Sequence, residues 1–393
     1  MRKMTRYVLG QLFAVFFFTL GVLTLLILTI GLVREAHDQG LGMVQIAQMV
    51  PYVLPMALTF SVPAAALFTV SLIYGRMASS NEVVALKSLG VSPMAILWPM
   101  LCAAFAVSLL CVWCNDLAAG WGRNGLKRVV INSIEEIAYG TLRAQRSFST
   151  GRFSIAVKQV AERRLIEPIV TFKADEELPS IVIRAQWAEL HADTTNDTLT
   201  IVLHNGSASG AGVQVNFPGT ERRVLPLADG QKRSRAWAPT EMPLNQIDGA
   251  IVKQKLQMED LEEQLAARAA FEMLNGELGA LAPEAWQEAQ SQLRSYQNQL
   301  HRLEVEPSRR WASGFSCLCF VIVGAPLAIR LRNANFLTTF ILCFGPILLV
   351  YFPLFMHSIN QAKLGLLPPW SIWSGNLVLA CAGLWLLRHV LRY

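Results

Sequence analysis

The chain has 393 residues, of which 53% are hydrophobic and only 16% charged, against about 25% charged in an ordinary soluble domain. With a mean hydropathy of +0.37, the apolar excess has to be solvated by lipid. The formal net charge of +6 does not point to nucleic acid, because the surplus Lys and Arg flank apolar runs instead of forming a dense basic stretch.

Six runs free of Asp, Glu, Lys and Arg are long enough to cross a bilayer: Tyr7 to Val33, Gln39 to Gly75, Ser88 to Asn115, Trp311 to Ile329, Asn333 to Ala362 and Leu364 to Leu387. A spanning helix needs roughly 20 such residues, so the sequence predicts six spans, three on each side of one large polar insert. The first run is too long for the apolar segment of a signal peptide and is expected to stay as a span. The second run carries Pro51, Pro55 and Pro63, which predicts an interfacial entry over residues 42–50 and then a kinked span.

Basic residues near span ends are retained in the cytoplasm. An inside N-terminus places Arg2, Lys3, Arg6, Arg76, Lys87, Arg330, Arg332, Arg388 and Arg392 in the cytoplasm, against Arg34 and Lys363 outside. Both termini are then expected to be cytoplasmic and the insert extracytoplasmic. Trp98, Trp311, Trp370 and Trp373 lie near run ends, as an interfacial aromatic belt requires.

Between spans two and three the sequence reads Gly75-Arg-Met-Ala-Ser-Ser-Asn-Glu82-Val-Val-Ala85-Leu86-Lys-Ser-Leu-Gly90-Val-Ser92-Pro93. Ser79, Ser80 or Asn81 is suited to cap a short helix with Glu82 in its first turn, Gly90 to end it, and Ser92-Pro93 to start the next span. Such a helix lies on the membrane surface. It serves either as a connector or as the peg by which a membrane subunit engages a cytoplasmic motor.

In the insert, residues 121–249 are β-rich. Phe153 to Val157, Ile181 to Trp187 and Leu199 to Leu203 alternate as strands do, and Asn205-Gly206 and Pro218-Gly219 read as turns between them. An antiparallel sandwich or open roll is expected; its apolar interior is either a packed core or a shelter for acyl chains. From residue 250 to 306 the period becomes helical. Met258, Leu261, Leu265, Ala269 and Met273 form one stripe, and Trp286, Ala289, Leu293, Tyr296, Leu300 and Leu303 form another. Asn275-Gly276, Gly279 and Pro283 separate them, which predicts an antiparallel helical hairpin joined to span four through Pro307. The stripes serve either self-packing or a partner.

Chemical motifs are sparse. All seven cysteines lie in apolar runs, and Cys111-x-x-Cys114 has no second pair or nearby His to complete a zinc site. Gly120-Trp-Gly122-Arg-Asn-Gly125 follows a membrane helix instead of a strand, and no Gly-Lys-Ser/Thr follows it, so the chain supplies no nucleotide loop of its own. The histidines are scattered; His357 alone falls within a span, near its outer end. No metal, cofactor or catalytic residue is expected.

The order Pro55 and Pro63, Gly75-Arg76, Glu82, Ala85-Leu86, Gly90-Val91-Ser92, then Gly324-Ala-Pro326-Leu327 and Leu367-Pro-Pro369-Trp370 with Asn376, resembles the LptF/LptG (YjgP/YjgQ) family of lipopolysaccharide export permeases over nearly the whole chain. The resemblance implies an α-helical polytopic protein of the inner membrane with a periplasmic β-jellyroll-like domain. Spans one to three would occupy residues 1–120, with the surface helix at 79–90, and spans four to six residues 307–393. It further implies an ABC transporter permease without its own nucleotide site, paired with a second LptF/LptG-type permease and seated on an LptB-like ATPase dimer. LptC/LptA-like jellyroll proteins would receive lipopolysaccharide or a related glycolipid. Glu82, Ala85, Leu86 and Gly90 would couple to the ATPase, Arg34 would meet lipid phosphates or simply snorkel, and spans one and five would form the lateral gate. The long hairpin departs from the family's short connecting helix. It leaves open a reading as an envelope scaffold that recruits periplasmic partners through residues 250–306.

Overall fold

The computed structural model describes residues 2–39, 43–90, 92–126, 128–129, 139–140, 142–143, 146–149, 153–161, 164–172, 181–193, 198–210, 213–226, 239–276, 286–331 and 335–392. The chain forms two compact units: Met1–Leu28, Leu54–Gly122 and Trp237–Tyr393 in one, Thr29–Val53 and Arg123–Ala236 in the other.

Among the described residues, six helices are long and apolar enough to cross a membrane. They belong to α1 (Arg2–Gln39), α2 (Met43–Ser79), α4 (Pro93–Leu117, continued by a π-helical turn Ala118–Gly122), α6 (Gln287–Arg330), the fifth span made of α7 (Phe336–Pro346), a π-helical turn Ile347–Tyr351 and α8 (Phe352–Lys363), and α9 (Ser374–Arg392). The short surface helix α3 covers Glu82–Ser88, and α5 covers Leu244–Leu274. Pro51, Pro55 and Pro63 all lie inside α2, which runs through them as one helix.

The first unit is organised around α6. Its lower half, from Trp311 on, is apolar for 19 residues, or about 28 Å at 1.5 Å per residue, close to the thickness of the hydrocarbon core. Small residues bring the neighbours close, as membrane helix packing demands. A Cβ on Gly314 would stand 2.3 Å from Val112 of α4, one on Gly324 2.8 Å from Leu67 of α2, and one on Gly383 of α9 2.5 Å from Ile322. Asn376 of α9 donates to the Ala312 carbonyl at 2.8 Å. All seven cysteines are free.

The upper half of α6 and the antiparallel α5 form the hairpin. Leu300 and Leu303 are buried, the remaining stripe residues of α6 are half-buried, and Gln254 Nε2 of α5 donates to the Tyr296 carbonyl at 3.2 Å. The stripes therefore pack on one another, with one exception: Met273 is exposed and Glu272 takes its place inside, held by Arg268 at 2.9 Å, which also lies over the Trp286 ring. There is no break at Pro307; the second arm of the hairpin and span four are a single helix of 44 residues.

In the second unit the described strands are β1 (Ser147–Ser149), β2 (Phe153–Ala156), β3 (Gln159–Ala161), β4 (Arg164–Ile166), β5 (Ile169–Phe172), β6 (Ile181–Asp193), β7 (Thr198–Gly210) and β8 (Val213–Pro226), all antiparallel. β4 and β5 pair with β6 in one unbroken register, as β2 and β3 do with β5 and β4. The sheet is thus a meander creased along one row of residues. Lys158 meets Glu167 at 2.8 Å, the Glu167 amide donates to the Gln186 carbonyl, Asn205 Nδ2 donates to Gln186 Oε1, and the Gly219 amide donates to Asn205 Oδ1. Glu167 and Asn205 have left-handed backbone (φ 47° and 48°), as does Gly219 (φ 111°). The expected turns at Asn205-Gly206 and Pro218-Gly219 are therefore not turns: both lie inside long strands, on the crease. The buried parity switches there, from Ile183 and Ala185 to Ala188 and Leu190 in β6, so the two halves of the folded sheet share one core. Ile155, Leu165, Val170, Ile201 and Leu203, with Leu142, fill it, and the Tyr139 hydroxyl accepts the Leu190 amide at 2.9 Å. Among the described residues these side chains form one buried apolar cluster.

Candidate functional site

The surface between spans two and three is built by three local devices. At the end of α2, Ser79 and Ser80 turn their hydroxyls back onto the Arg76 carbonyl, each at 2.9 Å. Two of the three candidate caps of α3 thus serve the preceding helix, and the third, Asn81, stands directly before α3 with its carbonyl accepting the Ala85 amide at 2.9 Å. Ser80 Oγ also lies 3.0 Å from Glu82 Oε1, so its one hydrogen is shared between the Arg76 carbonyl and the half-buried carboxylate at the start of α3. Asn81 takes the left-handed turn between the helices at φ 56°, a conformation Asn tolerates better than most residues. Gly90 ends the segment at φ 77°, where a side chain would be strained. Ser92 then caps α4 by accepting the Met94 amide at 3.3 Å, with Pro93 behind it. Val91 lies outside the described residues.

This geometry gives α3 two distinct sides. Val83 is buried and Leu86 packs on the bundle core, fixing the helix to spans two and three. Val84 (48% exposed), Ala85, Ser88 and Leu89 (77% exposed) face outward. A helix seven residues long has too few hydrogen bonds to stand alone. It is held by its neighbours, and two large apolar side chains are left on its open side.

Several apolar surfaces of the spans are open. α1 is the least enclosed span, with Phe17, Phe18, Leu25, Ile30 and Val33 all more than half exposed. Arg34 follows on the same helix and is exposed. Within the first unit, Leu12 and Phe16 of α1 line an apolar cleft with Ala66 and Val70 of α2, Ala104 of α4 and Val321 of α6. On span five, Leu337, Ile341, Leu348, Leu349 and Met356 are exposed. His357 is exposed on α8.

Nothing local in the sequence marks the polar cluster at the insert-side ends of spans three and four. Arg310, 2% exposed, donates through Nη1 to Asp116 Oδ1 at 2.8 Å and through Nη2 to the Met242 carbonyl at 2.6 Å and the Pro239 carbonyl at 3.4 Å. Its Nε lies 3.6 Å from Glu306 Oε2, which Arg309 also contacts at 2.7 Å. Asp116 Oδ1 accepts a second bond, from the Leu244 amide at 2.7 Å. Span three thereby caps the N-terminus of α5, where Pro243 has no side-chain donor or acceptor to offer. The glycines of the apparent nucleotide motif have structural reasons instead: Gly120 lies against Pro243, and within the second unit Gly125 lies against Tyr52. Among the described residues, no group of His, Cys, Asp and Glu is placed to hold a metal.

Six apolar helices in two sets of three, a curled β-domain in the insert and an outward-facing surface helix define a polytopic membrane transport subunit. The model of the lipopolysaccharide export system permease LptF/LptG family matches residues 6–389, and the chain belongs to that family. It is accordingly a permease of the lipopolysaccharide export system and not itself an enzyme. No curated protein matches the chain.

Proposed function

We propose that this chain sits in the inner membrane with both termini cytoplasmic, extracts lipopolysaccharide or a related glycolipid from the outer leaflet, and is driven through α3 by a separate LptB-like ATPase dimer. A second LptF/LptG-type permease completes the membrane unit, and LptC/LptA-like jellyroll proteins take the lipid onward. The observation that carries this reading is the two-sided build of α3: Val83 and Leu86 fix it to spans two and three, while Val84 and Leu89 are left in the open. The basic residues at the ends of the short loops support the orientation, nine inside against two outside.

The energetics require this division of labour. Drawing a multi-acyl lipid from the bilayer exposes methylenes at about 0.8 kcal/mol each, and the sequence carries no nucleotide-binding loop. Glu82, Ala85, Leu86 and Gly90 are the coupling residues in this reading. Glu82 sets the start of α3, Ala85 keeps its open side shallow, Leu86 ties it to the bundle and Gly90 supplies the left-handed exit. Arg34 is the candidate for lipid phosphates, and the exposed faces of spans one and five are the candidate gate.

Glu82→Lys reverses the charge at the start of α3. Co-purification with the ATPase should fall at least tenfold, while the chain stays monodisperse in detergent. Unchanged capture of the ATPase would remove the coupling role.

A further inference from the structure

Pro307 has no amide hydrogen, so α6 lacks one hydrogen bond of its ladder there, and an arm flexing at that point would absorb any movement of span four. The structure splints this point on every side. Arg310 lies one turn below Pro307 and grips Asp116 of span three at 2.8 Å. One turn further down Gly314 lies against Val112, and a turn beyond that the Leu318 amide donates to Ser108 Oγ at 3.0 Å. Three successive turns of α4 and α6 are thus locked in one antiparallel register. Above the proline, Gly365 of the loop between spans five and six packs on His301. The other arm is held by the same group: Arg310 binds the Pro239 and Met242 carbonyls just before α5, and its partner Asp116 binds the Leu244 amide that begins it.

We infer that Arg310 is a positioning residue for transport, locking both arms of the hairpin to the ends of spans three and four so that the hairpin moves as a rigid extension of the membrane bundle. Gln287, at the far end of the second arm, lies about 35 Å along α6 from Arg310, and Arg330 lies about 30 Å the other way. A tilt of span four is delivered at the hairpin tip with about its full amplitude. The inference rests on the permease reading for what that movement does, and on the geometry alone for the lock.

The test uses the full chain assembled with its partner permease and ATPase in nanodiscs, with lipopolysaccharide as the transported probe. Arg310→Met and Asp116→Ala should each speed amide exchange in residues 242–252 at least tenfold. ATP hydrolysis should stay within twofold, and lipopolysaccharide released per ATP should drop at least fivefold. Arg310→Lys keeps the charge but loses the forked donors, and should fall between. The double variant should be no worse than either single one, since both break the same lock. If Arg310→Met does not assemble, Asp116→Ala gives the same readings. Unchanged exchange in the variants would overturn the lock. Faster exchange with undiminished release per ATP would overturn its role in transport. A wild-type complex that hydrolyses ATP and releases no lipopolysaccharide would instead count against the permease reading, with the exchange data still deciding the lock.

Discussion

Gly314→Ala adds one methyl group at the seam between spans three and four, and its cost follows from the distances there. The new Cβ would stand 2.3 Å from Val112 Cγ2, 2.9 Å from the Val112 nitrogen and 3.0 Å from its Cα, whereas carbon atoms pack at about 3.5–4.0 Å. The side-chain contact could be relieved by rotation, but the two backbone contacts require the helices to part. Overpacking of this kind costs about 1–3 kcal/mol, against a gain of about 0.4–1 kcal/mol from the stiffer unfolded chain. A net loss of about 1–2 kcal/mol is expected. Gly21→Ala is the control, because nothing stands within 4 Å of a Cβ there, and it should be neutral or slightly stabilising. Reversible unfolding of both variants in mixed micelles measures the difference. If Gly314→Ala proves as stable as Gly21→Ala, the close approach of the two helices is wrong and the register built on it fails.

Two other outcomes follow from the structure. Tyr139→Phe removes the hydroxyl that accepts the buried Leu190 amide, and a stranded buried donor costs about 1–3 kcal/mol; the loss should appear as a lowered denaturation midpoint of the β-domain signal, with the spans unaffected. In the proposed orientation, a cysteine placed at exposed Asn205 should react with a membrane-impermeant maleimide on intact cells, and one at exposed Ser80 only after lysis; the opposite pattern would reverse that orientation, and reaction of both on one side would overturn the separation of insert and surface helix by the membrane.

The spans were legible because lipid imposes a length and a polarity on any segment that crosses it, and the six charge-free runs match the six helices. The hairpin was legible from its period, except at Met273, where the Arg268–Glu272–Trp286 contacts outweigh the simple apolar repeat. Alternation revealed the strands but not the crease. Asn205-Gly206 looks like a turn because Asn and Gly favour positive φ, and the crease needs that same conformation in mid-strand. The closeness of Gly206 to the Arg184 carbonyl, 2.4 Å from a would-be Cβ, explains the glycine without any chain reversal. On the surface helix, residue types pointed to Glu82 and Gly90 but left Ser79, Ser80 and Asn81 equal as caps; Asn81 takes the place before the first turn, since a serine hydroxyl can serve the helix behind it as readily as the one ahead. The Arg310 cluster left no local trace. Its partners are separated by 194 and 128 residues along the chain, and a charged residue at the end of an apolar run is ordinary on its own.

Those separations also set an order of events during biogenesis. Span three is made long before its counterpart exists, and Asp116 has to wait for the whole insert to be synthesised before Leu244 and then Arg310 arrive. The strands of the insert, paired mostly between neighbours, close short loops and are free to form during that interval, whereas joining the two halves of the membrane bundle closes a loop of nearly two hundred residues. The bilayer offsets much of that delay by confining both halves to one plane, so the last contacts to mature are those that tie the two triplets of helices together.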